Sequence, residues 1–151
     1  MKRANKNARS GPAICVHNRQ RAMRVDLIEL QAFAERVLEA CLGRPGKKGS
    51  QLASLEEVDI NLISDRRIAE LHRRFMKVGG PTDVITFQHG EIFVSVETAR
   101  KQSRRFGTSI GHELRLYLTH GLLHLHGFDD KTPAGAAQMA RVQERLLISV
   151  G

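Results

Sequence analysis

From Leu114 to Leu125 the chain is apolar on almost every helical face, through Leu114, Leu116, Leu118, Leu122, Leu123 and Leu125, yet the same stretch carries His120 and His124. A helix that is apolar all round has to be buried, so this segment predicts a central helix around which the rest of the chain folds. Histidines four residues apart project from one helix face. In a dry core two adjacent imidazoles lack evident partners, whereas a divalent cation satisfies both as neutral ligands. Gly127 can take the left-handed conformation that ends the helix and turns the chain back. That turn carries Phe128-Asp129-Asp130 towards the same face. A carboxylate there completes a three-ligand site with a fourth position open, the arrangement of a catalytic zinc.

A single histidine on such a helix reads as a hydrogen-bonded core residue, and the HxxxH spacing alone is weak. The glycine and the carboxylate that follow it have no joint structural reason to recur, and they make the pattern specific. Asp130 stands six residues after His124, the spacing of the third ligand in the HExxHxxGxxH zinc motif. Helix capping is the competing role for Asp130, but Thr132-Pro133 supplies a better cap. Asp129 is the candidate for orienting a ligand imidazole through its N–H. His126 points roughly 200° around the helix from His124, which makes it a poor ligand. In HExxH peptidases the glutamate after the first histidine is the general base; here that position is Gly121, which argues against a zinc peptidase.

With 151 residues the chain is one ordinary domain, and no stretch approaches the ~20 apolar residues of a spanning helix. No apolar core follows the basic start, so neither a membrane span nor a secretory signal is expected, and a cytoplasmic protein is. Cys15 and Cys41 lie outside any CxxC spacing and read as free, buried small hydrophobes, with no disulfide-linked partner. The net charge of +8 is uneven: residues 1–50 hold 11 basic and 4 acidic side chains, the remainder 13 and 12. Such an arm suits a polyanion, most simply RNA, or serves as a solvated tail.

Met1–Pro12 reads as a basic disordered tail, and residues 13–151 as a single domain. Ile14–Gln20 alternates as a strand. Asp26 caps a helix to about Leu42, and Gly43–Ser50 is a flexible loop. Val58–Ser64 is a half-buried strand, and Asp65 caps a helix whose Ile68, Leu71 and Phe75 face inward. Asp83–Phe87 and Gly90–Val94 form a hairpin. Helices follow after Ser95, from Ser109 to about His126, and from Thr132 onward. The fold class predicted is α+β, a mixed four-stranded sheet with about five helices and a zincin-like metal-binding helix in the core.

His120–Asp130 closely resembles the HGxLHLxGYDH signature of the YbeY family of rRNA-maturation metal-dependent endoribonucleases. Gly80–Phe87 resembles that family's KPTDVLSF stretch, Gly90-Glu91-Ile92 its GDI, and Glu113–Thr119 the helix leading into the metal motif. The resemblance runs from Glu57 to the last residue. It implies a site for one zinc or other divalent transition metal per chain, held by His120, His124 and Asp130. It also implies ribosomal RNA as substrate, the ribosome or its assembly factors as partners, and work in rRNA processing and quality control.

Two departures stand out. The family usually has histidine where Asp130 stands, so the site keeps a competent ligand with a lower formal charge. The family's arginine in its YRGKDKPTD-like run falls on Met76, leaving Lys77 as the nearest catalytic cation, with Arg73 and Arg74 one turn earlier. Lysine contacts phosphate as a point charge, without arginine's bidentate geometry. Arg100, Lys101, Arg104 and Arg105 form a cationic stripe at one-turn spacing, either an RNA surface with Arg73 and Arg74 or a solvated helix face. The phenylalanines sit at core-like positions, so no stacking platform for single strands is expected. A ribosome-assembly factor with a mainly structural metal is the alternative to a nuclease.

Overall fold

The structure, a computed structural model, describes residues 11–151. Most of the segment read as a disordered tail lies outside the described residues; within them Pro12 is buried. The elements run β1 (Ala13–Asn18), α1 (Leu27–Leu42), β2 (Glu57–Ile63), α2 (Asp65–Met76), β3 (Val84–Phe87), β4 (Glu91–Ser95), α3 (Val96–Phe106), α4 (Ile110–Leu125) and α5 (Pro133–Val150), with one 3-10 turn at Leu52–Ser54. Among the described residues, four strands and five helices make the α+β fold that the sequence predicts.

The sheet order is β1-β2-β4-β3, with β1–β2 and β2–β4 parallel and β3–β4 antiparallel. Strand alternation assigns its two faces. Ile14, Val16, Val58, Ile60, Leu62, Ile92 and Val94 join the main core, which α1, α4 and α5 cover. Ile63, Ile85, Phe87 and Phe93 lie on the opposite face, where α2 alone packs through Ile68 and Leu71. Helix α4 lies innermost: Leu118, Leu122, Leu123 and Leu125 are fully buried, each worth about 1.5–3 kcal/mol relative to exposure.

Caps follow the sequence with one shift. Asp26 accepts from the Glu29 N–H at 3.1 Å, and Thr132 accepts from the Gly135 N–H at 3.0 Å behind Pro133. The cap of α2 is Ser64, not Asp65, since the Ser64 hydroxyl accepts from the Arg67 N–H at 3.2 Å. Asp65 instead ties α2 to α3, accepting from Ser95 Oγ at 2.5 Å, Thr98 Oγ1 at 2.6 Å and Lys101 Nζ at 2.8 Å. Phe75, expected inward, is 52% exposed, because α2 covers only part of its face of the sheet. Cys15 is likewise exposed, pointing away from the core between Ile14 and Val16. Cys41 is buried as expected, and burial pushes its thiol up to about 12.

Burial raises the Asp65 carboxyl, but its bonds from Lys101, Ser95 and Thr98 outweigh burial and hold it below the usual aspartate value. Stability from a depressed carboxyl is present above the unfolded pKa, near ~4, and is lost as pH falls through the folded one. Asp65→Ala, which leaves the O–H of buried Ser95 without its acceptor, is expected to cost ~1–3 kcal/mol at pH 7. In urea titrations that deficit should shrink as pH falls below the ordinary aspartate value and on through the lower one of the folded state.

Candidate metal centre

Helix α4 starts on Ser109, whose hydroxyl accepts from the His112 N–H at 3.0 Å. It ends where the Phe128 N–H reaches back to the Leu123 carbonyl at 3.0 Å, with Gly127 at φ 94° between them. A left-handed residue is needed there, and space requires glycine as well. A Cβ on Gly127 would stand 2.7 Å from the Lys47 carbonyl oxygen. The loop Gly43–Ser50, read from sequence as flexible, is fastened to this turn. The Lys47 N–H donates to the His126 carbonyl at 3.0 Å, and the Gln51 N–H to the Leu125 carbonyl at 2.9 Å. His126, excluded as a ligand by its direction, is buried, and its Nε2 donates to the Arg44 carbonyl at 2.8 Å.

The turn places Phe128 so that its carbonyl oxygen lies 3.1 Å from His124 Nδ1. A carbonyl only accepts, so neutral His124 carries its proton on Nδ1 and leaves Nε2 a bare lone pair. His120 Nδ1 lies 2.9 Å from Gln143 Oε1 on α5, which sets the same tautomer. The two Nε2 atoms then face each other at 3.1 Å, with Asp130 Oδ2 3.6 Å from His120 Nε2. One donor atom from each of His120, His124 and Asp130 falls within 4.8 Å of the others. Burial, and after it the neighbouring His120, hold His124 below the ordinary histidine value, so it is neutral near pH 7. Three converging lone-pair donors repel one another unless a cation joins them. Tetrahedral zinc with bonds of 2.0–2.1 Å separates its ligands by about 3.3 Å, within the range of the two closest pairs here. The donor set fits a divalent transition metal.

Gly121 explains the missing peptidase glutamate. It faces the sheet, and a Cβ there would stand 2.8 Å from Ile92 Cγ2, 2.9 Å from Ile92 Cδ1 and 3.2 Å from Thr86 Oγ1. A side chain at that position has to displace Ile92, on β4, from the seat of α4.

The model of the family Endoribonuclease YbeY matches residues 15–151. The chain belongs to the YbeY endoribonuclease family. It is 36% identical to the Endoribonuclease YbeY of Moorella thermoacetica over 142 residues, covering 82% of this chain and 88% of that protein. With that of Frankia alni it shares 32% identity over 157 residues, covering 91% and 82%. The solution structure of TM1509 from Thermotoga maritima superimposes with a TM-score of 0.61 at 25% identity, covering 91% of this chain and 88% of that one.

The remaining sequence-derived positions separate around this centre. The Asp129 carboxylate accepts from the Lys131 N–H at 3.0 Å, while the imidazole N–H groups it was expected to orient are held by Gln143 and the Phe128 carbonyl. Lys77 is the C-cap of α2, exposed and left-handed at φ 59°. Arg73 and Arg74 are exposed in the last turn of α2, and Arg100, Lys101, Arg104 and Arg105 are exposed on α3. Lys101 is spent on Asp65, so three of the four α3 cations point only to solvent or to the Phe106 ring. No helix among the described residues is long and apolar enough to cross a membrane.

Gln143 was missed in the sequence. Its signal was a polar residue set into the inward stripe Met139, Val142, Leu146 of α5. Gln143→Leu is expected to weaken zinc binding ~10–100-fold in competition with a chromophoric chelator, with the metal-free melting temperature little changed. Gly121→Ala should cost ~1–3 kcal/mol in chemical denaturation, and less than the sum of the single changes when combined with Ile92→Val.

Proposed function

We propose that this chain is a metal-dependent endoribonuclease that cuts single-stranded regions of ribosomal RNA during rRNA maturation and ribosome quality control. One observation carries the reading: the bare Nε2 atoms of His120 and His124 and the Asp130 carboxylate converge in a chain of the YbeY endoribonuclease family. His120, His124 and Asp130 would hold one divalent cation, zinc by the preference of an imidazole and carboxylate set. When bound, that cation polarises a phosphoryl oxygen and lowers the pKa of a neighbouring water.

The chain's own groups do the rest. Asp130 brings a full negative charge where the family usually has a neutral ligand, which tempers the Lewis acidity of the site and favours slow turnover. Lys77, held out by its left-handed C-cap, is the proposed cation for charge developing on the phosphate. Arg73 and Arg74 behind it, and Arg100, Arg104 and Arg105 on α3, supply phosphate contacts whose strength falls with salt, while Lys101 stays on Asp65. The ribosome and its assembly factors are the proposed partners, and the cytoplasm the proposed location.

A second reading, an assembly factor whose metal is mainly structural, is favoured by Gly121, since the packing leaves no place there for an acid beside the centre. Labelled ribosomal RNA should be cut by the wild type, not after chelation, and again once zinc is restored. His124→Ala should lose both zinc stoichiometry and cleavage. Zinc retained by His124→Ala would sink the ligand assignment, and zinc bound without cleavage of any RNA would favour the assembly factor.

A further inference from the structure

We propose that the exposed aromatic cluster where α2 ends against the β3–β4 turn is a stacking site for unpaired RNA bases. This deepens the nuclease reading and rests on it. Phe75 is 52% exposed, with Met76 at 44% and Val78 at 47% beside it, the largest run of exposed apolar side chains among the described residues. The rings are ordered among themselves. Phe75 meets Phe87 edge-on at 5.2 Å, and His89 stacks on Phe87 at 5.8 Å with 20° between planes. Glu91 fixes the outer ring, holding His89 Nε2 at 2.8 Å.

Charge selects the occupant. The aromatic edge sits in the run Arg73-Arg74-Phe75-Met76-Lys77, and the Arg74 guanidinium lies 5.4 Å from the Phe75 ring centre. Exposed rings interleaved with cations suit a polyanion whose repeating unit carries a flat, apolar face, which is single-stranded nucleic acid. A protein ligand for the same apolar edge would have to bring acidic residues to match.

Position ties the cluster to the metal centre. Strand β3 is the sheet edge, and successive residues on it face opposite ways. Thr86 faces α4 beside Gly121, the neighbour of His120, while Phe87 faces α2 and Phe75. An RNA strand crossing this edge would stack a base on one side and present a phosphodiester on the other.

The test uses short single-stranded oligouridylate and an abasic ribose-phosphate oligomer of equal length and charge, in fluorescence anisotropy. Wild type is expected to bind the base-bearing oligomer at least ~5-fold more tightly than the abasic one, and Phe75→Ala to bind the two equally. Because the chain has no tryptophan, Phe75→Trp places a single reporter in the site. It should keep the preference, and its emission should be quenched by oligouridylate and not by the abasic oligomer. Equal wild-type affinity for both oligomers, or oligouridylate binding that leaves the indole emission of Phe75→Trp unchanged, overturns the stacking site and leaves the patch to a protein partner. Failure of wild type to bind either oligomer overturns the RNA reading itself.

Discussion

Helix α4 lies so close to β3 and β4 at Gly121 that a Cβ there would press on Ile92 and Thr86, and this contact seats the helix that carries both histidines. The same glycine that seats the helix removes the position from which a peptidase would work. Packing and chemistry are here one constraint. An acid one residue after His120 would meet Ile92 and Thr86 where this helix seats on the sheet. What the chain offers instead is an imidazole pair held from outside, by an amide on α5 and a carbonyl in the following turn, so that both lone pairs converge on one point.

Most of the fold was legible because its signals are local. The all-round apolar helix, the alternation in β2, the Thr132-Pro133 start of α5 and the Ser95 and Ser109 caps each declare themselves within a few residues. Ser64 was passed over for Asp65 because both are good caps, and the choice depends on a partner more than thirty residues away that recruits Asp65 elsewhere. The exposure of Phe75 was hidden for a related reason. Helical spacing puts it on the same stripe as Ile68 and Leu71, but the sheet it would cover runs out at the β3 edge.

The three converging side chains could be read from spacing, since two share a helix face and the third follows a glycine turn. Their supports could not. Gln143 reaches His120 from a separate helix, and the loop that fastens the turn lies some eighty residues upstream of His126. Such contacts leave only faint marks in sequence, a polar residue inside an apolar stripe or a histidine facing away from its neighbours. Asp129 shows how local geometry competes with such a role: its carboxylate closes its own turn.

Strand β3 also bears on how the sheet meets other chains. An open sheet edge with unpaired backbone groups is a template for another chain's strand, and the hazard grows with its length. This edge is four residues long, entered through Gly79-Gly80-Pro81 and left at a glycine-closed turn. Four residues give a second copy too few backbone bonds to hold on, and the proline ahead of them has no N–H to extend the ladder. The β3 edge beside α4 is therefore a poor template for a strand from another chain.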